Sequence, residues 1–245
     1  MENNWRIWNS DSDVEVRTYK RVTGELPEME SAKQLVNLVR NVYIPGMKIL
    51  DIGCAAGHYY KSLLRLDEEI EYLGIDATVP YIEYANNYFK YQKARFLVGD
   101  IFDLSDELHG FDIVFCCNLI LHLPDFRVPI KNLLRIAQKY CFIRTLISDR
   151  THLSKFLYTD DFDENNNPTN FVYQNTYSID LLKRFIGSVG DYHIELIDDE
   201  FDAENVNKEY VSFQKEQSAV TRVVDNYQIA GSKVFEWKWL KIFPK

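Results

Sequence analysis

Residues 48–57 read Lys-Ile-Leu-Asp-Ile-Gly-Cys-Ala-Ala-Gly. The short apolar run Lys48–Ile52 predicts a strand, Gly53 and Gly57 a tight turn, and a helix follows around Tyr59–Arg65. Glycines let the backbone turn sharply and approach a ligand, and the free N–H groups of a helix start favour polar or anionic groups. Gly-x-x-x-Gly alone is a weak signal. It gains meaning from the next apolar run, Glu71–Ile75, which leads into Asp76, 23 residues beyond Gly53. A carboxylate at the tip of a second strand can accept both hydroxyls of a ribose.

The alternation continues downstream. Arg95–Val98, Phe111–Cys117 and Cys141–Ile147 predict three further strands. Helices fall between them, through Ile82, Ala85 and Phe89 (with Thr78 as N-cap) and through Ile130, Leu133, Leu134 and Ala137. Runs that are apolar throughout fit strands buried on both faces, and strands separated by helices imply right-handed βαβ units in a doubly wound α/β sheet. The third strand tip, Val98-Gly99-Asp100-Ile101, offers a second acid where an adenine amino group can donate. The fourth offers the carboxamide of Asn118. Such tips are where open α/β sheets bind ligands. Upstream, apolar spacing predicts a helix over Pro27–Tyr43, stopped by Pro45-Gly46. Downstream, it predicts a helix over Ser178–Ile186 with Ser178 as N-cap, a strand over Tyr192–Ile197 and a closing antiparallel strand over Val234–Ile242.

Taken together, Asp51-Ile-Gly-Cys-Ala-Ala-Gly57, Gly74-Ile-Asp76, Gly99-Asp100 and Phe111-Asp-Ile-Val-Phe with Leu121-His122 resemble the class I S-adenosylmethionine-dependent methyltransferases, over about residues 45–147. A nicotinamide-binding domain is disfavoured, because Gly-x-Gly-x-x-Gly is missing. The resemblance implies a Rossmann-like, mostly parallel seven-stranded sheet with an antiparallel last strand and helices on both faces. The domain is then expected over residues 45–245, with an insertion at about 149–177 after strand five and a helical or lid segment over residues 1–44. The implied cofactor is S-adenosyl-L-methionine, leaving S-adenosyl-L-homocysteine. Carried onto this chain, Gly53, Cys54, Ala55 and Gly57 approach the methionine moiety, Asp76 holds the ribose and Asp100 the adenine amino group. Ile101 covers the adenine face, and Asn118 sits near the methionine portion or the sulfonium. Asp51 either touches ligand or orders the glycine loop. One departure matters: Cys54-Ala55-Ala56 replaces the commoner Cys-Gly-Thr or Cys-Gly-Ser, at a cost in backbone freedom.

Methyl transfer from a sulfonium is an in-line displacement, so positioning supplies most of the catalysis, and a base is needed only where the acceptor must lose a proton. His122, four residues after Asn118, is the first candidate base and His152, just past strand five, the second. The alternative for His122 is a capping or packing histidine in Leu121-His-Leu-Pro124. No metal site is expected.

The 28 Lys and Arg residues stand against 37 Asp and Glu, a net charge of −9, which disfavours nucleic acid and anionic membranes as partners. Two local basic groups oppose that average. Arg127, Lys131, Arg135 and Lys139 recur every fourth residue, and Arg17, Lys20 and Arg21 flank Tyr19. Both read first as solvated faces. The sharper alternatives are a docking surface for an acidic partner and a contact to an anionic substrate or the cofactor carboxylate. Cys54, Cys116, Cys117 and Cys141 lack metal-ligand spacing and fit reduced thiols. The first 13 residues, with Trp5 and Trp8, lack a signal-peptide apolar core, and the longest apolar stretch, Ile113–Leu123, is interrupted by Asn118 and His122. A soluble cytoplasmic enzyme is the expectation, methylating an O or N atom of a small-molecule acceptor such as a sugar or related metabolite. A homodimer, an RNA- or protein-modifying enzyme working with a partner, and a non-catalytic cofactor-binding module stay open.

Overall fold

A computed structural model of the chain describes residues 12–213, 221–230 and 233–245, so Trp5 and Trp8 lie outside the described residues. Two helices, α1 (Ser12–Thr23) and α2 (Glu30–Arg40), precede the alternating core. That core runs β1 (Lys48–Ile52), α3 (His58–Leu63), β2 (Glu71–Asp76), α4 (Val79–Tyr88), β3 (Ala94–Val98), β4 (Phe111–Cys117), α5 (Arg127–Ile136) and β5 (Ala137–Ser148). Next come the short strands β6 (Lys155–Leu157), β7 (Phe171–Tyr173) and β8 (Tyr177–Ser178), then α6 (Ile179–Val189), β9 (Tyr192–Asp198) and α7 (Ala203–Phe213). The chain closes with β10 (Arg222–Val224), β11 (Tyr227–Ala230), β12 (Lys233–Phe235) and β13 (Trp237–Pro244).

Among the described residues the main sheet has the order β3-β2-β1-β4-β5-β13-β9, and β8 pairs with the end of β5. The first five strands pair in parallel, and β13 is antiparallel to both β5 and β9. This is the doubly wound architecture expected. The order reverses at β1, which lies between β2 and β4, so a crevice opens at the carboxyl ends of these strands. The unbroken apolar runs are explained by burial on both faces. Ile49, Phe115 and Phe142 join one core with Leu35, Tyr59 and Ile82 of α2, α3 and α4. Their neighbours Leu50, Val114 and Ile143 join the other core with Leu133 and Leu182 of α5 and α6.

Several boundaries differ from the sequence reading for local reasons. Helix α2 starts at Glu30, after Met29 in an extended conformation, and Val42 and Tyr43 form a turn on the carbonyl of Val39. The closing segment over Val234–Ile242 splits at Glu236: β12 joins a small antiparallel sheet with β10 and β11, and β13 enters the main sheet. Ser178 caps α6 as expected, its Oγ accepting from the Leu181 N–H at 3.2 Å. Thr78 stands at the N-cap of α4 without a side-chain cap bond. The basic stripe is largely absorbed: Arg127 pairs with Asp125, Arg135 with Asp106 at 3.4 Å and Lys139, which falls in β5, with Asp112 at 2.8 Å.

Candidate functional site

A cavity of about 430 Å³ lies at the carboxyl ends of β1, β2, β3 and β4. Its floor is the turn after β1. There Gly53 and Ala55 both take positive φ, +84° and +46°, and the N–H groups of Gly53 and Cys54 donate to the Ile75 carbonyl at 2.7 and 3.2 Å. A side chain on Gly53 would meet the Leu119 Cδ2 at 2.9 Å, so this position needs glycine for space as well as conformation. Asp76 pins the arrangement. Its Oδ2 accepts the Ala55 N–H and its Oδ1 the Thr78 N–H, each at 2.9 Å. Burial raises the Asp76 pKa against these backbone donors.

Six of the nine residues expected to bind cofactor line this one cavity: Gly53, Ala55, Asp76, Asp100, Ile101 and Asn118. The structure sets the other three behind the turn. Asp51 is fully buried beneath it, accepting the Tyr72 hydroxyl at 2.6 Å on Oδ2, while Oδ1 has no hydrogen-bond partner. Burial holds its pKa well above the carboxylate range. Cys54 is fully buried, its thiol donating to the Ala55 carbonyl at 3.4 Å; the other three cysteines are buried too, and none of the four is in a disulfide. Gly57, at φ +87°, backs onto Phe89 and Phe96, where a Cβ would sit 2.8 and 2.9 Å from ring carbons. Its glycine therefore serves packing of α3 against the aromatic core.

The two histidines part company. His122 lines the cavity, and its Nδ1 lies 2.7 Å from the Tyr173 carbonyl. A carbonyl only accepts, so Nδ1 carries the proton and Nε2 is left as the basic nitrogen. Burial pushes the His122 pKa down to about 4, keeping the ring neutral at pH 7. The short turn bearing it is fixed by the segment after β5. Asn175 donates to the carbonyls of Leu121 and Leu123, both at 2.9 Å, and the Tyr177 hydroxyl to that of Ile120 at 3.2 Å. His152 does not reach the cavity; it is exposed, its backbone bridged to Thr176.

The cavity also gathers residues the sequence reading had placed elsewhere or passed over. Val14, Arg17, Thr18 and Arg21 recur at helical spacing on α1 and present one side of that helix to the cavity. Arg17 and Arg21 thus face the site instead of solvent. His58, the first residue of α3, also lines it, and both its ring nitrogens are buried without a hydrogen-bond partner. Burial and the charge of Arg21 push the His58 pKa down to about 3.

At β4 and β5 a buried polar network forms the wall. Arg144, 5% exposed, holds Asp199 through Nε and Nη2, both at 2.8 Å, and its Nη1 donates to the Asn118 carbonyl oxygen. The Asn118 amide reaches the Tyr59 hydroxyl at 3.4 Å, which meets Ser31 at 2.8 Å. Trp237 covers the guanidinium, its ring centroid 4.1 Å away. The Asn118 carboxamide is thereby committed to protein partners. The sequence signal for this wall is Arg144 itself, a charge inside the apolar run Cys141–Ile147.

A turn with backbone N–H groups and no bulky side chain, an acid at the second strand tip and an acid with an apolar residue at the third fit an adenosyl cofactor. Gly53, Ala55, Asp76, Asp100 and Ile101 would hold it. Among the described residues no group of three or more His, Cys, Asp or Glu is placed to hold a metal, and no helix is long and apolar enough to cross a membrane.

Comparison with known proteins supports the same fit. The chain is 31% identical over 106 residues to the ubiquinone biosynthesis O-methyltransferase of Coxiella burnetii, which spans 40% of this chain and 44% of that protein. It is 30% identical over 107 residues to the sterol 24-C-methyltransferase of Debaryomyces hansenii, covering 42% of this chain and 28% of that protein. The chain thus spans less than half the length of these curated relatives. In three dimensions it resembles the magnesium protoporphyrin IX methyltransferase of Synechocystis PCC 6803 with bound S-adenosylmethionine. The TM-score is 0.60 at 13% identity, over 100% of this chain and 99% of that one. The family described as a methyltransferase domain matches residues 44–226, three quarters of the sequence, and the chain belongs to that family.

Proposed function

We propose that this chain methylates an oxygen or nitrogen atom of a small-molecule acceptor, using S-adenosylmethionine. The observation that carries the reading is the convergence of Gly53, Ala55, Asp76, Asp100 and Ile101 on one cavity. When bound, S-adenosylmethionine supplies a methyl carbon on a sulfonium, which a nucleophile takes as the carbon–sulfur bond breaks and its electron pair returns to sulfur. Asp76, held by the Ala55 and Thr78 N–H groups, lines the cavity at the tip of β2, where its carboxylate accepts a ribose hydroxyl. Asp100, whose Oδ1 accepts the Phe102 N–H at 3.0 Å, stands at the third strand tip as the acceptor for an adenine amino group. Ile101 gives an apolar face. His122, neutral and with Nε2 as its acceptor, takes the proton that an acceptor hydroxyl or ammonium must lose. Asn118 acts as a positioning residue, through Arg144 and Tyr59.

Calorimetric titration with S-adenosylhomocysteine tests the assignment. Asp76→Ala removes two backbone anchors and a ribose partner, so affinity should fall by about 100-fold. Unchanged affinity would sink the site. Release of S-adenosylhomocysteine with a panel of small hydroxylated and amino acceptors then tests the activity. Tight cofactor binding without turnover on any of them would favour a non-catalytic binding module.

A further inference from the structure

His58 follows directly on the Asp51–Gly57 motif, opens α3 and borders the cofactor cavity. Both its ring nitrogens are buried, and among the described residues neither has a hydrogen-bond partner. Resting on the S-adenosylmethionine reading, we propose that His58 binds the amino-acid end of the cofactor, a ring N–H donating to the methionine carboxylate.

A neutral imidazole carries one N–H and one basic nitrogen, whichever tautomer it adopts. Buried polar atoms are paired in folded proteins, because an unpaired one forfeits its hydrogen bonds to water. The two cavity histidines contrast on this point. His122 is tied through Nδ1 to the Tyr173 carbonyl, which fixes its tautomer and its ring. His58 has the ring of Tyr59 beside it, centroids 4.5 Å apart, and no hydrogen bond that sets its orientation. The terminal torsion of histidine is broad and roughly two-fold, and a half-turn exchanges the places of ring nitrogens and carbons. The ring edge at the cavity can thus present a nitrogen to a ligand. A ring serving only to pack there would do so better without polar atoms.

Position selects the part of the cofactor. With adenine at Asp100 and ribose at Asp76, the ligand runs from the tip of β3 to that of β2, and its remainder continues along the sheet toward β1 and β4. His58 stands at that end: the hydroxyl of Tyr59, the next residue, accepts from the Asn118 amide beyond β4 at 3.4 Å. Past the sulfur, the methionine portion has two polar groups, an ammonium and a carboxylate. The carboxylate is the acceptor for an unpaired N–H, and a hydrogen bond to an ionised group is roughly twice as strong as a neutral one. A neutral ring makes this contact without adding a cation beside the sulfonium.

Calorimetry with three ligands tests it. S-adenosylhomocysteine has the whole amino-acid end, 5′-methylthioadenosine has none of it, and 5′-(3-aminopropylthio)-5′-deoxyadenosine keeps the ammonium but lacks the carboxylate. His58→Leu removes both nitrogens at nearly the same volume. Its affinity for S-adenosylhomocysteine should fall by at least about tenfold, while its affinities for the other two stay within about threefold of native. His58→Asn and His58→Gln each keep an N–H donor, at different reach, and one of them should regain at least about threefold. Recovery by neither overturns the donor role. The proposal is also overturned if the leucine variant holds S-adenosylhomocysteine as tightly as the native chain, or if all three ligands weaken alike, the mark of a packing role. Equal losses for S-adenosylhomocysteine and the aminopropyl ligand, with methylthioadenosine retained, overturn it too; the basic nitrogen then takes the ammonium. Should the leucine variant not fold, ring nitrogen-15 spectra of the native protein decide. The His58 signals, identified by their absence in the glutamine variant, should shift with S-adenosylhomocysteine and not with methylthioadenosine, and equal shifts overturn the proposal. Failure of the native chain to bind any of the three ligands would instead remove the cofactor reading itself.

Discussion

At the tips of β1 and β2 the cavity wall is held by backbone groups: the N–H groups of Gly53, Cys54, Ala55 and Thr78 all end on Ile75 or Asp76. At the tips of β4 and β5 it is held by side chains, Ser31 of α2, Tyr59 of α3, Arg144 of β5, and Asn118 and Asp199 just after β4 and β9, linked in a buried chain. Backbone anchoring sets the Asp76 carboxylate at the edge of the cavity without engaging another charged side chain. Side-chain anchoring spends the polar capacity of Asn118 and Arg144 within the protein. The difference suggests a division of labour: the first wall is made to receive a ligand, the second to stay rigid beside it.

The largest effect that can break this comparison is loss of the buried ion pair. The Arg144 and Asp199 side chains are 6% and 5% exposed, so Asp199→Ala leaves a buried guanidinium without its counter-charge. Removing one partner of such a pair costs about 3–5 kcal/mol, and the melting temperature should fall by roughly 10 °C. Asp76→Ala strips backbone donors that border the cavity and can take up water instead, so it should cost less stability, about 1–3 kcal/mol. Thermal unfolding of both variants decides. If Asp76→Ala proves the more damaging, the wall at β1 and β2 is structural and the comparison fails.

These two walls also differ in how far the sequence disclosed them. The glycine turn, Asp76 and Asp100 are read from short-range order, because each follows directly from a strand and its turn. Their roles were less legible than their places. Asp51, Cys54 and Gly57 share the motif with Gly53 and Ala55, but β-strand alternation and the turn's path carry them behind it. The wall at β4 and β5 joins residues as far apart as Ser31 and Trp237, and no local pattern encodes that. Arg144 alone announced it. The α1 face was misjudged because charged residues at helical spacing usually meet water. Whether they meet water or a cavity depends on where α1 packs, which the stacking of Tyr19 on Tyr84 at 3.9 Å helps fix.

A pH experiment sharpens the contrast from another side. His58 and His122 are held neutral by burial, with pKa values near 3 and 4 against 6.5 when free. The unfolded chain therefore takes up protons that the folded chain refuses. Stability from these groups is present above pH 6.5 and lost as pH falls toward their folded values. The buried Asp51 and Asp76 have raised pKa values and act in the opposite sense, their contribution being lost as pH rises. Comparing a variant with its parent isolates the histidine. Between pH 7 and pH 5, His58→Asn should lose about 1–2 kcal/mol less stability than the parent in urea unfolding. Equal losses would mean that the ring finds a partner for its charged form.

The smallest expected effect lies within the turn itself. Gly53, Ala55 and Gly57 all take positive φ, but only Ala55 carries a Cβ in that region. A non-glycine residue in the left-handed conformation costs about 1 kcal/mol or more, and replacing it with glycine relieves the strain. Glycine also loosens the unfolded chain, which returns roughly half of that gain. Ala55→Gly should therefore raise stability by about 0.5 kcal/mol, a melting shift of roughly 1–2 °C. The backbone wall would then be strained at Ala55 and held in its path by the bond from its N–H to Asp76. A fall in melting temperature would place the benefit of Ala55 elsewhere, in contacts of its methyl group at the cavity edge. Combining the change with Asp76→Ala separates these cases. With the anchor gone, the turn can relax and the glycine should no longer help, whereas a methyl contact would be missed in either background.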